Sequence, residues 1–312
     1  MSKRKIAIGV DVGGSHISCK TYHLVSKQLV VGSLRSLPIN NAGSLAEIID
    51  SFKQLLAPVV INIAKDEMAG IGIAMPGPFD YYKGVALFSG TNAKFTQLNK
   101  VNMRRALAES LGLAPDFIRF INDATAFAVG EYFNGSLQGT NTSLAITLGT
   151  GFGAAFLEKG IPVIEDARVP KEGCLWYLPF AEGNADDYFS TRGLTKRFNA
   201  LSGQAVEGVK AIADQHNTNS EAKAVFHDFG FKLIDFLKPW LQSFSVEKLV
   251  IGGNISKAFA LFQGSMSTAL KQEKLDVAIA SSELLEDAAF IGAASLMDND
   301  FYQSIEAELK HM

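Results

Sequence analysis

Three glycine-marked turns and two aspartates offer most of the chemistry in this sequence. Asp11-Val12-Gly13-Gly14-Ser15-His16 closes the apolar run over residues 6–10. At a strand end, backbone without side chains lets N–H groups and the Ser15 hydroxyl come close to an anion. An aspartate beside that anion makes electrostatic sense when a cation stands between them, and a water-coordinated Mg²⁺ fits such a place at Asp11. Leu148-Gly149-Thr150-Gly151-Phe152-Gly153 is a second turn that can cradle phosphate. It is not a Walker A loop, because no Gly-Lys-Ser/Thr follows, nor a dinucleotide fingerprint, because Phe156 stands at the final glycine. Ile251-Gly252-Gly253-Asn254-Ile255 ends a third apolar run, where bare backbone can seat a flat adenine and its ribose. Asn122-Asp123-Ala124 puts a carboxylate at a strand-to-helix junction, a restrained position for a general base. Each motif also has a plainer reading. The first two can be ordinary hairpin turns, and Asn254 and Asp123 can simply cap helices.

The elements that must position these residues are legible from periodicity. The run over 6–10 turns at Gly13-Gly14 into a second strand over 16–22, and a third strand is expected over 29–34. A helix starts near Ser44, with Leu45, Ile48, Ile49, Phe52, Leu55 and Leu56 at helical spacing and Ser44 with Glu47 as a capping box. An apolar strand over 69–75 stops at Pro76-Gly77-Pro78 and leads to a loop rich in Gly, Ser and Asn near 89–92. A helix over 101–111, a strand over 117–121 and a helix running to about 133 follow. The plan then restarts loosely, with strands over 144–148 and 152–157. A helix comes next with Val225, Phe226, Phe229, Leu233, Phe236 and Leu237 on one face, then a strand over 248–251 and a helix over 288–297. The expected organisation is an N-terminal lobe over 1–117, completed by C-terminal helix at about 288–312, and a C-terminal lobe over 118–287.

A chain of 312 residues is long for one core and comfortable for two. Its formal net charge of −3 argues against a phosphate-backbone binder, so no nucleic-acid partner is expected. Cys19 and Cys174 stand alone, without a CxxC pair, which points to reduced thiols and a cytoplasmic location. The basic opening is followed by an apolar run that Asp11 and two glycines soon break, so it reads as a first strand and not a signal peptide. No apolar stretch approaches the roughly 20 residues of a membrane span. His23, His216, His227 and His311 form no ligand or triad pattern and receive no role.

Taken in order across residues 6 to about 296, these motifs resemble the ROK family of kinases and repressors. The resemblance is carried by strand-DxGG[ST], Gly70-Ile71-Gly72-Ile73-Ala74-Met75-Pro76-Gly77, the Thr91-Asn92 loop, Asn122-Asp123-Ala124, LGTGxG and IGGN. It implies an α/β, two-lobed actin-like ATPase (ribonuclease H-like) fold with an interlobe cleft, and an ATP-dependent sugar kinase. It also implies that Asp11 positions Mg²⁺ through water while Gly13, Gly14 and Ser15 wrap the outer phosphates. Gly149, Thr150 and Gly151 would contact phosphate from the other lobe, and Gly252, Gly253 and Asn254 would line the adenosine pocket. Asp123 would act as general base, and Asn92, Asn122, Glu172 and Asp186 would bind the sugar.

The chain departs from the family pattern in three places. His16 stands where a Lys or Arg usually follows the hydroxyl residue, removing a positive charge near the phosphates. The CxCGxxGCxE cluster and its histidine are missing from Lys171-Glu172-Gly173-Cys174-Leu175-Trp176-Tyr177, so no zinc is expected. Trp176 and Tyr177 would either stack on a sugar ring or replace the zinc as a small apolar core. Asp186 stands where a longer glutamate is usual. The implied partners are a small sugar and ATP, and a homodimer is compatible with the resemblance. The competing expectation is a sugar- or nucleotide-binding regulator without catalysis and without a DNA-binding domain, since the Asp11 turn begins almost at the N-terminus.

Overall fold

The computed structural model describes residues 4–89 and 94–312, which divide into two compact units: residues 1–134 with 286–312, and residues 135–285. The first unit contains β1 (Ile6–Val12), β2 (His16–His23), β3 (Gln28–Leu29), β4 (Arg35–Pro38), α1 (Leu45–Asn62) and β5 (Met68–Met75). It continues with the short hairpin β6 (Phe79–Asp80) and β7 (Val85–Ala86), then α2 (Met103–Leu111), β8 (Ile118–Asn122) and α3 (Asp123–Asn134). The second unit contains β9 (Thr142–Leu148), β10 (Phe152–Glu158), β11 (Ile161–Pro162), the hairpin β12 (Pro179–Phe180) and β13 (Gly183–Asn184), α4 (Ala185–Phe189), α5 (Thr191–Ser202), α6 (Gly208–Ala213), α7 (Ser220–Ser243), β14 (Lys248–Gly252), α8 (Phe259–Gln272) and β15 (Ala278–Ser281). The chain returns to the first unit as α9 (Asp287–Ser295) and α10 (Asn299–Leu309).

Both units are built around the same sheet. The first has the order β3-β2-β1-β5-β8 and the second β11-β10-β9-β14-β15. In each, the two strands flanking the glycine turn pair antiparallel, and the outer two strands join in parallel. The loose echo in the sequence is therefore a repeated topology. Every residue of β5 is buried, as expected of a parallel strand covered on both faces.

Two expectations are corrected. The lobe boundary does not fall near residue 117: Ile118 to Asn122 pair in parallel with Ile71 to Met75, which draws β8 and α3 into the first unit. The third strand over 29–34 is instead two short pieces that pair with β2. Between them Gly32 adopts φ +75, a turn conformation, and Val31 is 98% exposed. The apolar run over 29–34 does not form one strand because its glycine breaks it. Elsewhere the reading holds: Ser44 and Glu47 form the capping box of α1, and the predicted face of α7 is buried.

The first unit is closed by backbone meeting backbone. Gly9 of β1 and Gly72 of β5 are register partners, and α9 lies across them. A β-carbon at Gly9 would fall 2.0 Å from the Phe290 carbonyl oxygen, and one at Gly72 would fall 1.7 Å from that of Ala293. On its other side α9 meets α3, where Gly130 faces the Ala288 carbonyl and Gly292 faces that of Ala126. Only small side chains permit this approach, and α9 carries alanines and a glycine around Phe290 and Ile291, all buried. Arg119 of β8 extends the seam. It donates to the Leu296 carbonyl at 2.5 Å and to Asn299 Oδ1 at 2.8 Å, and lies 3.9 Å from the Tyr302 ring centre.

Adding one methyl group at this seam should be costly. Gly72→Ala and Gly292→Ala are each expected to destabilise by about 3 kcal/mol or more, because backbone cannot retreat as a side chain can. Gly264→Ala, in an open helical position of α8, should be neutral or stabilising by up to about 1 kcal/mol. Urea denaturation of the three variants checks the contrast; equal midpoints would refute it.

Candidate functional site

In the first unit, Asp11 stands at the end of β1, paired in register with Ser18 on one side and Ala74 on the other. The turn that follows is closed by the Gly13 N–H donating to the His16 carbonyl at 2.9 Å. Ser15 is exposed, and its hydroxyl lies 2.9 Å from His16 Nδ1. The Ser15 carbonyl accepts from the Ile39 N–H at 2.9 Å, and the Gly14 carbonyl accepts from Asn41 Nδ2. The turn is thus held by its carbonyls.

Asp123 opens α3 directly after β8, and its position resolves one alternative. The helix is capped by Asn122, whose Oδ1 accepts from the Thr125 N–H at 3.1 Å, while Asn122 Nδ2 donates to Tyr81 Oη at 3.2 Å. Tyr81 in turn donates to the Met75 carbonyl at 3.0 Å. Asp123 accepts from the Ala124 N–H at 2.9 Å but is not the cap. The amide of Asn122 therefore serves the chain itself at both ends, which sequence reading did not anticipate.

The electrostatics of this end of the sheet are unusual. Loss of hydration, reinforced by the charges of Asp123 and Glu286, pushes the Asp11 carboxyl from an ordinary 3.8 up to about 7. Burial also raises Asp123, opposed by hydrogen bonds from the Ala124 and Asp123 backbone and from Asn122, and by the positive charge of Lys94. Glu286, exposed just before α9, escaped the sequence reading because nothing in its neighbourhood forms a motif. Among the described residues no group of three or more His, Cys, Asp or Glu could hold a metal directly. A single carboxylate acting through water is what Asp11 can offer to a hard cation such as Mg²⁺.

In the second unit the two remaining glycine turns lie together. The Gly149 N–H donates to the Gly151 carbonyl at 3.0 Å, and the Gly149 carbonyl accepts from the Thr191 N–H at 2.7 Å. Thr150 and Gly151 are exposed. Gly253, at φ +79, has room for no β-carbon, which would fall 2.4 Å from the Leu148 carbonyl oxygen. A β-carbon on Gly149 would lie 3.9 Å from the Asn254 N. Residues 149–151 and 252–254 therefore share one end of the sheet, as the pairing of Gly252 with Thr147 requires. Asn254 does not cap the following turn; its Oδ1 accepts from Lys257 Nζ at 2.9 Å.

Glu172 and Asp186 are placed differently from one another. Glu172 has φ 58, is 55% exposed at its side chain and lies 3.6 Å from Lys171 Nζ. Asp186 is engaged by the phosphate-type turn: its Oδ1 accepts from the Phe152 N–H at 2.7 Å and its Oδ2 faces Arg192 at 3.2 Å. The residue that goes inside where a zinc cluster was absent is Leu175, fully buried among Phe152, Phe189 and their neighbours. Trp176 is 51% exposed and stacks edge-on against Tyr177 at 5.6 Å, so this pair does not form the apolar core that was one of its two readings. Asn92 lies outside the described residues.

Known proteins resemble this chain over most of its length. The glucokinase of Thermotoga maritima is 26% identical over 95% of this chain and 98% of its own. The N-acetyl-D-glucosamine kinase of Photobacterium profundum is 24% identical over 82% of this chain and 86% of its own. A ROK family glucokinase from Streptomyces griseus, solved in complex with glucose and AMPPNP, superposes with a TM-score of 0.71 at 20% identity, covering 94% of this chain and 99% of that one. The fold is accordingly the α/β, two-lobed actin-like ATPase (ribonuclease H-like) fold. Since the ROK family model matches residues 7–300, from the first strand to the helix that closes the first unit, the chain belongs to the ROK family.

Proposed function

We propose that this protein is an ATP-dependent carbohydrate kinase that transfers the γ-phosphoryl group to a hydroxyl of a hexose or N-acetylhexosamine. The observation that carries the reading is Asp123: its helix is capped by the neighbouring Asn122, which leaves a restrained carboxylate beside Asp11 at the end of the sheet. The named activities of the relatives, glucokinase and N-acetyl-D-glucosamine kinase, support the substrate class.

In this reading Gly13, Gly14 and Ser15 hold outer phosphates by backbone N–H and hydroxyl. Residues 149–151 hold phosphate, and residues 252–254 receive the adenosine. Asn92, Asn122 and Glu172 are assigned to the sugar. Asn122 has its amide already engaged, so its contribution is to fix Tyr81 and the start of α3 as much as to meet a hydroxyl. Asp186 braces the 149–151 turn through the Phe152 N–H, and its shorter side chain suits that task. Mg²⁺, held by Asp11 through water, would supply charge neutralisation to the phosphates. Asp123 accepts the proton of the acceptor hydroxyl as that oxygen bonds to the γ-phosphorus, while the bond from phosphorus to the β–γ bridging oxygen breaks and ADP leaves. Positioning and charge neutralisation account for most of the rate, and the base completes the proton transfer.

Three outcomes are expected. Asp123→Asn should lower sugar-dependent ADP release by about 10²–10⁴-fold with nucleotide affinity kept; sugar binding without turnover in the wild-type protein would instead favour a non-catalytic regulator. Asp186→Ala should raise the KM for ATP and leave sugar affinity unchanged, with Asp186→Asn restoring much of the loss because an amide oxygen still accepts the Phe152 N–H. Weakened sugar binding would return Asp186 to the sugar. The third outcome concerns pH. Unfolded Asp11 ionises near 3.8 and folded Asp11 only near 7, so the folded state binds more protons between those values and stability falls as pH rises through that window. Without ligand, Asp11→Asn should therefore gain stability over wild type between pH 5 and pH 8, read from urea midpoints; a constant difference would contradict it.

A further inference from the structure

The residue after the hydroxyl of the turn that follows β1 is His16 and not a lysine or arginine, so the turn has no permanently charged side chain of its own. Around it stand the carboxylates of Asp11, Asp123 and Glu286. A triphosphate brought to this end of the sheet would meet net negative charge. The structure nevertheless places a cation there, from a part of the chain that no motif marks.

Lys94 lies against the turn. A β-carbon built on Gly14 would fall 2.6 Å from Lys94 Nζ, 3.2 Å from Cε and 3.5 Å from Cδ, so the lysine stem passes directly over the glycine. The placement is anchored. Phe95 is fully buried, its ring 5.7 Å from that of Phe88, and its N–H donates to the Asn41 carbonyl at 2.8 Å. The same Asn41 reaches the Gly14 carbonyl with its side-chain amide. One residue thus ties the backbone next to Lys94 and the glycine turn together. The ammonium is also close enough to Asp123 to favour that residue's charged form. Among the described residues it enters no salt bridge or hydrogen bond, although the residue is exposed and carboxylates are near.

We propose that Lys94 is a phosphate-binding residue of this enzyme: it sets a permanent positive charge over the Gly13-Gly14-Ser15 turn and neutralises the terminal phosphoryl group of ATP. The assignment rests on the kinase reading above. A group that touches both the glycine turn and the acceptor oxygen at Asp123 is the transferring phosphoryl, and Lys94 reaches both neighbours. A lysine suits the task, as a compact point charge on a flexible stem can follow the phosphoryl from donor to acceptor. It also explains why position 16 can be a histidine: the charge enters from a different stretch of chain. A side chain at position 14 would displace the ammonium from the turn.

The test is calorimetric binding of Mg²⁺-AMPPNP and Mg²⁺-ADP to the full-length protein and three variants, with far-UV circular dichroism confirming the fold. Lys94→Ala should weaken AMPPNP by about tenfold or more, as loss of one charge-assisted contact implies, while ADP affinity changes less than about twofold. Lys94→Arg should stay near wild type. The double variant Lys94→Ala, His16→Arg should recover most of the AMPPNP affinity, because the charge returns to the other side of the same turn. Equal losses for both nucleotides, or none for either, would remove Lys94 from the phosphate site and leave the kinase reading standing. Failure of the wild-type protein to bind either nucleotide would overturn both.

Discussion

The positions of Asp11 and Asp123 depend on one steric condition: the backbone of α9 must touch the backbones of β1, β5 and α3 at the same time. Gly9, Gly72, Gly130 and Gly292 make that possible. Asp11 is two residues beyond Gly9 on β1, and Asp123 heads the helix that carries Gly130. Glu286 immediately precedes α9. Three carboxylates on three elements are therefore registered by one close-packed seam. Such contacts tolerate little adjustment, since native interiors are packed as densely as organic crystals.

The consequence is electrostatic. Packing the elements this closely removes water from Asp11 and gathers like charges, and both effects oppose ionisation. Regions with carboxylates held well above their ordinary range are characteristic of functional sites. The second unit differs: Asp186, at its phosphate-type turn, is paired with Arg192 and accepts a backbone N–H. In the first unit burial outweighs the hydrogen bonds and the Lys94 charge that favour ionised Asp123, whereas in the second unit Asp186 is paired directly.

Much of this was legible in the sequence. Strand ends marked by glycine gave the turns, and the 3.6-residue period gave α1 and α7, because these features depend on local sterics and on burial of one face. What escaped depends on tertiary pairing. The lobe boundary moved because β8 adds in parallel to β5, a choice that local pattern cannot express. Asn122 and Asp123 could not be told apart as cap and free carboxylate, since both residue types cap helices equally well. At Asp186 the family resemblance points to sugar, whereas its contact is with the Phe152 N–H, which depends on where the fold brings α4. Lys94 carries no motif at all, and only the fold brings it onto Gly14.

The route of the chain adds a final consequence. Residues 135–285 form one contiguous unit, whereas the other unit needs residues 287–295 to fill its core. During synthesis residues 135–285 can therefore close upon themselves while the first unit waits, its glycine-lined sheet face open until α9 has left the ribosome. Non-local closure of this kind is slow and exposes apolar surface for longer. Until then the apolar face of β1 and β5 that α9 covers stays in water, which sets the order of folding against the order of synthesis.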